Sequence, residues 1–411
     1  MALRRARYGG LAAAAAVVGP GVLAGLSDDD PAGVTTYSIL GAEHGYRLLW
    51  VLVVSTVALI AFHELGARLG LVTGHGLMRL VRSRYGPRAT VIALAALVAA
   101  NLGTTCAELA GLAASFELVG ISRVASVPVG AVLITVLVIR EGFHRLEHLL
   151  LALSTVFVTY VAAGLLAHPD WGAAARGVVV PSVGGGSAVS IAIAATVGTT
   201  LAPWGLAFIQ SYTVDKRLSR RDLPIERVDV VVGAILTGVI GAFVVIACAA
   251  TLHRTGAHID DARDAAVALE PVAGQFAALL FGVGLLGASL MGAAVLPLST
   301  AYSVSEALGG EPHLDDGFRE APLFYGAFAA VLAAAAAFVL IPGIPLIRVL
   351  YLSQVLNAVL LLPLLAFMLV LGRDAQLVGG SRTRGTWWAL ELAGAVVVTA
   401  SVALLAVSSL R

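Results

Sequence analysis

The sequence contains few charged residues. Asp, Glu, Lys and Arg make up 12% of its 411 residues, whereas hydrophobic residues make up 59%. Soluble domains carry about 25% charged residues, and the mean hydropathy here is +0.93. The formal net charge of +1 gives no electrostatic basis for binding nucleic acid. The composition therefore disfavours a soluble globular protein and favours a chain embedded in a lipid bilayer.

Cysteine and lysine are also scarce. Cys106 and Cys248 both fall within long apolar runs, which predicts small buried residues and neither a disulfide framework nor a metal pair. Lys216 is the single lysine, and arginine supplies the other basic residues. A composition rich in arginine and alanine is typical of a GC-rich bacterial genome.

Apolar segments of bilayer-spanning length fill the chain. A membrane-spanning helix needs about 20 largely apolar residues, and no long soluble domain separates the segments that meet this requirement. We therefore predict an all-α, polytopic membrane protein with about eleven transmembrane helices, near residues 11–40, 46–67, 89–117, 124–139, 146–167, 187–213, 230–252, 272–305, 321–341, 345–372 and 386–408.

The distribution of arginine predicts the orientation. If the N-terminus is cytoplasmic, most basic residues fall in the inside segments, as the positive-inside rule requires. We expect a multi-pass protein of the bacterial inner (plasma) membrane.

Two predicted spans are interrupted near their middle. Residues 27–33 of the first have the sequence SDDDPAG, and residues 198–205 of the sixth have the sequence GTTLAPWG. Proline ends a helix and glycine permits irregular backbone, so each span is predicted to break there. In a simpler alternative the first helix ends at Leu26, but the run from Leu11 to Leu26 would rise only about 24 Å, short of the roughly 30 Å hydrocarbon core.

The two breaks occupy corresponding positions five spans apart. This spacing predicts a first five-helix repeat in residues 1–168, a second and inverted repeat in 169–372, and an additional helix in 373–411. Such an arrangement is LeuT-like, and paired breaks of this kind mark a transport site near the bilayer midplane.

Four motifs resemble the NRAMP family of divalent-metal transporters, and in particular its branch of NRAMP-related magnesium transporters. The family carries Asp-Pro-Gly-Asn in helix one and a Met-Pro-His-type break in helix six, where this chain has DPAG at 30–33 and APW at 202–204. The sequences ARLGLVTG at 67–74 and SQVLN at 353–357 are also similar to family segments.

The resemblance implies a metal site at the two breaks. Asp30 would coordinate the ion directly, and Asp28 would hold outer waters or attract cations. Gly33 and Ala202 stand where the family has an asparagine and a methionine ligand. The metal-site residues predicted in this way are Asp30, Asp29, Gly33, Thr199, Thr200, Ala202 and Gln354.

The departures from the family pattern favour a hard cation. Losing the methionine sulfur leaves carboxylate, carbonyl and water oxygens, and two small residues leave room for a hydrated ion. We therefore expect the transported ion to be Mg²⁺, with Mn²⁺ as a second candidate. Trp204 and Thr105 replace residues of the family's proton path, so transport is expected to proceed without proton coupling.

Two polar residues have roles that the sequence leaves open. Glu108 is an intramembrane acid that either is functional or is hydrogen-bonded by Thr104 or Thr105 on the preceding turn. Asn357 lies one turn from Gln354, and it either faces the site or links helices.

The predicted function is divalent-cation transport by alternating access, and the chain is not expected to be an enzyme. Its expected partners are divalent cations and the lipid bilayer, without nucleic acid or a resident cofactor. The sequence leaves the oligomeric state open, and a monomer is compatible with it. Two alternatives stay open. One is a proton-coupled Mn²⁺/Fe²⁺ importer of the same family, and the other is a symporter of an amino acid or similar organic solute with the same fold.

Overall fold

The computed structural model describes residues 29–141, 158–310 and 319–410. Every regular element in these ranges is helical. The principal helices are α1 (Pro31–His44), α2 (Leu49–Thr73), α3 (Leu77–Glu117), α4 (Arg123–Glu141), α5 (Val158–Leu166), α6 (Trp171–Val179), α7 (Gly186–Thr200), α8 (Pro203–Asp215), α9 (Leu223–Thr255), α10 (Ala277–Leu308), α11 (Pro322–Val339), α12 (Leu346–Arg373) and α13 (Gly385–Ser409). Short helices and 3₁₀ turns occupy Arg220–Asp222, Ala262–Ala266, Val267–Leu269, Glu270–Ala273, Gly274–Phe276, Ala375–Val378 and Gly379–Ser381.

The prediction of an all-α polytopic membrane protein is confirmed. In the described part of the chain, 8 helical stretches are long and apolar enough to cross a bilayer, and Arg123–Val138 is a shorter apolar helix. The first and fifth predicted spans lie partly outside the described residues. The apolar run before the first break and Asp28 also lie outside them.

Two predicted connections are largely helical. α2 continues to Thr73 and α3 begins at Leu77, so most of the predicted loop 68–88 is helix. α3 bends at Gly86, whose φ of 78° and ψ of −176° leave the helical region next to Pro87. The predicted loop 168–186 contains α6. Hydropathy missed these elements because arginine is compatible with a helix that leaves the apolar layer.

Small residues allow the helices around the two breaks to pack closely. α1 packs on α9, and α3 packs on both α10 and α12. An added Cβ at Gly111 of α3 would lie 2.5 Å from Cβ of Pro31, and one at Gly41 of α1 would lie 2.9 Å from Cβ of Cys248. Because lipid tails are as apolar as the helices, close packing of this kind drives helix association in membranes.

The contact between α7 and α12 gives a test of this packing. A Cβ at Gly198 would collide with the Gln354 backbone oxygen and would lie 2.6 Å from the Ala358 nitrogen. We expect Gly198→Ala to lower the free energy of unfolding by about 1–3 kcal/mol, typical of overpacking, measured as a lower Tm in detergent. Gly326→Ala is the control, because nothing lies within 4 Å of that position and alanine favours a helix. A Tm unchanged or raised in Gly198→Ala contradicts the packing described here.

Candidate functional site

Asp30 caps the N-terminus of α1 from a buried position. Its side chain accepts a hydrogen bond of 2.5 Å from the Gly33 N–H, and its carbonyl accepts one of 2.9 Å from the Val34 N–H. Pro31 occupies the first turn, where its missing N–H costs nothing. Asp30 is only 3% exposed. The carboxylate therefore lies at the positive end of a helix that begins at the predicted break.

The second break separates α7 from α8. Leu201 and Ala202 lie between these helices with non-helical backbone angles, and Pro203 begins α8. Proline has no N–H to donate to the Thr199 carbonyl one turn earlier. The buried Thr199 hydroxyl has no hydrogen-bond partner among the described residues. The predicted break in span six is thus confirmed, and that in span one agrees with the start of α1 at Pro31.

A hydrogen bond connects the two broken helices. The Thr200 hydroxyl donates to the Thr196 carbonyl at 2.8 Å and lies 3.0 Å from the Tyr37 hydroxyl. Because the Thr200 hydrogen is already used, Tyr37 is the donor in the second bond. Tyr37 lies seven positions after Asp30, on the same face of α1.

Gln354 and Asn357 of α12 form one network with α3. The Asn357 amide nitrogen donates to the Gln354 side-chain oxygen at 2.9 Å and is also 2.9 Å from the Thr104 hydroxyl. The Gln354 amide nitrogen donates to Ser353 at 3.0 Å. Since the Gln354 backbone touches Gly198, this network lies beside the second break. The structure therefore gives Asn357 a helix-linking role in which it fixes the orientation of Gln354.

Glu108 lies against Asp30. It is fully buried, its carboxyl group interacts with that of Asp30, and it fills the space beside Gly292 of α10. Neither oxygen makes a hydrogen bond of normal geometry within the described chain. Two buried carboxyl groups that interact are stabilised by a shared proton or a nearby cation.

Thr104 and Thr105 on α3 do not donate hydrogen bonds to the Glu108 carboxyl group. The Thr104 hydroxyl donates to the Ala100 carbonyl at 3.1 Å, and the Thr105 hydroxyl donates to the Asn101 carbonyl at 2.6 Å. The alternative in which either hydroxyl pairs with the acid is therefore wrong. The Thr105 hydroxyl has donated its hydrogen within the helix, so it has none left to donate to the acid.

Asp29 and Trp204 are buried close to the breaks. Asp29 is 1% exposed and lies beside Thr237 of α9, although neither carboxylate oxygen makes a hydrogen bond of normal geometry to a described residue. The Trp204 ring packs near Phe208, with centroids 6.4 Å apart, and its carbonyl accepts from Ser299 at 3.1 Å. Trp204 is thus part of the packing of α8.

The donors that remain near the breaks are oxygen atoms. Gly33 and Ala202 have no donor side chain, and the Gly33 N–H is occupied by Asp30. Among the described residues no group of three or more His, Cys, Asp or Glu side chains has the arrangement of a ready-made metal cage. An ion here would depend on carboxylate, amide, carbonyl and water oxygens, which suit Mg²⁺, Ca²⁺ and Mn²⁺.

Sequence reasoning missed Tyr37, Thr237 and Gly292. The seven-residue spacing from Asp30 was the available signal for Tyr37, whereas Thr237 and Gly292 reach the site through tertiary packing that no local pattern reports.

Comparison of the chain with known protein families identifies the family to which it belongs. A family profile described as "Natural resistance-associated macrophage protein-like" (Nramp) matches residues 21–408. The chain belongs to the Nramp family. It is 30% identical over 380 residues to the divalent metal cation transporter MntH of Burkholderia ambifaria, which covers 90% of this chain and 83% of that protein. It is 29% identical over 389 residues to MntH of Klebsiella pneumoniae, covering 91% of each chain.

A solved transporter structure shares the fold. The manganese transporter of Eremococcus coleocola superposes with a TM-score of 0.76 and 20% sequence identity, covering 98% of this chain and 88% of that one. The predicted NRAMP family and LeuT-like fold class are confirmed. The relatives named here are divalent metal cation or manganese transporters, so the narrower assignment to a magnesium branch has no support from them.

Two substitutions separate the role of Asp30 as a helix cap from its expected role as a metal ligand. Asparagine caps helices as well as aspartate does, whereas alanine costs about 0.5–2 kcal/mol at an N-cap. We expect both Asp30→Asn and Asp30→Ala to lose divalent-cation binding in titration calorimetry, since each removes the charge. Only Asp30→Ala is expected to lower the metal-free Tm. Wild-type binding by Asp30→Asn would show that this carboxylate is not a ligand.

Proposed function

We propose that this Nramp-family chain carries a divalent metal cation, Mn²⁺ in the first place, across the membrane through the site at its two helix breaks. The proposal is based mainly on the burial of the Asp30 side chain at the first helix break. A charged group at the centre of a membrane helix costs about 2.5–3.5 kcal/mol on insertion scales, and Asp30 is buried at a helix break in a family of ion carriers. A transported cation offsets that cost.

The choice of ion differs from the preference inferred from the sequence. That preference for Mg²⁺ depended mainly on Ala202 replacing a sulfur ligand, and also on the room that Gly33 and Ala202 leave for a hydrated ion. Carboxylate, carbonyl and water oxygens suit Mn²⁺ as well as Mg²⁺, so the missing sulfur does not separate the two ions. The Eremococcus relative is named a manganese transporter, which favours the manganese alternative.

Glu108 makes proton coupling part of the proposal. The expectation of uncoupled transport was based on Trp204 and Thr105, and it did not include the contact between Glu108 and Asp30. When the cation leaves, the Asp30–Glu108 pair keeps two carboxyl groups in contact, and taking up a proton relieves their repulsion. We therefore assign proton binding to Glu108 and coordination of the metal to Asp30.

Alternating access of two inverted repeats remains the proposed mechanism, with residues 1–168 and 169–372 as the repeats and 373–411 as the additional helix. Tyr37 and Thr200 join the broken helices across the repeats, so their bond must break or move with each transition. We also propose a bacterial inner-membrane location and a cytoplasmic N-terminus.

The arginine-rich end of the molecule supports this orientation. Arg68 is buried and binds Glu64 at 3.1 Å and Glu391 at 3.0 Å, and Arg227 binds Glu64 at 2.7 Å. This network ties α2, α9 and α13 at the end that the positive-inside rule places in the cytoplasm.

Uptake into proteoliposomes tests the ion and the proton together. We expect Mn²⁺ to enter and to acidify the lumen. Because Mg²⁺ loses its waters reluctantly, it should compete at this buried site at least about tenfold less well, a difference of about 1.4 kcal/mol. Glu108→Gln should abolish the proton signal from a pH-sensitive dye, because glutamine cannot carry the proton. Glu270→Gln is the control, since Glu270 is exposed on a short helix outside the site.

Two outcomes contradict the proposal separately. Mg²⁺ uptake that Mn²⁺ does not inhibit would restore the magnesium hypothesis. Mn²⁺-driven acidification that persists in Glu108→Gln would remove Glu108 from the proton route while leaving the assignment of the metal intact.

A further inference from the structure

A basic cavity lies at the end of the molecule where α1 terminates. Its volume is about 370 Å³, and its walls come from the turn after α1, from α6 with the segment that follows it, and from the end of α9. No acidic residue of the described chain belongs to its lining. The polar residues that line it are His44, Tyr46, Arg47, Arg176, Ser182 and His253.

The two arginines of this cavity form no ion pair with an acid among the described residues. Arg47 donates from Nε to the Ser182 hydroxyl at 2.6 Å, and neither Arg47 nor Arg176 forms an ion pair with an acid in the described part of the chain. The nearby Asp170 carboxylate is occupied in capping α6 through the Ala173 N–H at 2.9 Å. Two guanidinium groups without a counter-charge form a site for an anion, and phosphate matches their geometry.

The histidines add polar groups to the same cavity. His253 has Nδ1 2.8 Å from the Ala42 carbonyl, so this nitrogen carries the hydrogen and donates it. The His44 side chain is 10% exposed, lies 4.0 Å from the Glu43 carboxylate through Nε2, and makes no hydrogen bond through that nitrogen to any described residue. A buried nitrogen without a hydrogen bond therefore accompanies the two arginines.

An apolar surface adjoins the basic cavity. α6 turns Ala174 and Gly177 toward the protein, and Gly177 lies directly against the Tyr46 backbone carbonyl. Trp171 at its start is 50% exposed, Val179 at its end is 75% exposed, and Val180 just beyond is 54% exposed. An amphipathic helix with an exposed tryptophan and apolar side chains is suited to the headgroup–acyl boundary of a bilayer.

We propose that this cavity binds the phosphate group of an anionic phospholipid, whose acyl chains lie along the exposed side of α6. The arginines bind the phosphate oxygens, His44 offers a further hydrogen bond, and the valines contact the chains. Inorganic phosphate could bind the arginines, but it has no acyl chains to contact the apolar surface. A phospholipid can contact both the arginines and that surface.

The test uses the purified full chain in detergent. Native mass spectrometry would measure binding of phosphatidylglycerol, phosphatidylcholine and inorganic phosphate to the wild type and to the double variant Arg47→Gln/Arg176→Gln. We expect the wild type to prefer phosphatidylglycerol over both other probes, and the double variant to bind it about tenfold less tightly. Arg348→Gln is the matched control, since Arg348 is an exposed arginine at the start of α12 outside the cavity and should leave lipid binding unchanged.

Three results would overturn the proposal. They are equal phosphatidylglycerol binding by the double variant and the wild type, an equal loss in Arg348→Gln, and binding of inorganic phosphate without a preference for the lipid. The single variants Arg47→Gln and Arg176→Gln, each expected to lose part of the affinity, keep the test valid if the double variant does not fold. The Tm of each variant without added lipid shows whether folding is intact.

Discussion

The burial of one carboxylate at a helix break is the constraint on which the rest of this structure depends. Asp30 has left water almost completely, and inside the protein the Gly33 N–H and the positive end of α1 offset part of that loss. These contacts do not neutralise a full charge, and Glu108 beside it adds another acid. We therefore propose that a cation or a proton stabilises this site, which is the property that a carrier for cations requires.

The surrounding contacts keep this arrangement in one geometry. Pro31 can approach α3 because position 111 is glycine, and Gln354 can approach α7 because position 198 is glycine. Asn357 then fixes the Gln354 side chain. A polar site assembled from several helices in this way can change its ion access by moving helices, while each helix keeps its own backbone hydrogen bonds.

The sequence was sufficient to predict the membrane fold and the two breaks, because proline, glycine and apolar runs act locally. It was insufficient for Glu108, whose contact with Asp30 depends on how α3 packs against α1, and for Thr237, which reaches Asp29 from α9. The helical segments near Leu77 and Trp171 were missed because a hydropathy window treats arginine-rich or short helices as loops. The preference for Mg²⁺ was inferred from a missing sulfur, although the oxygen donors that remain do not distinguish Mg²⁺ from Mn²⁺.

The position of the bound ion tests the central claim most directly. Crystals of the full chain soaked with Mn²⁺ and measured for anomalous scattering would locate the metal without reference to transport. The account predicts one strong peak in direct coordination with an Asp30 carboxylate oxygen, beside Leu201 and Ala202, and its loss in Asp30→Asn. A peak elsewhere with none at Asp30 would contradict it.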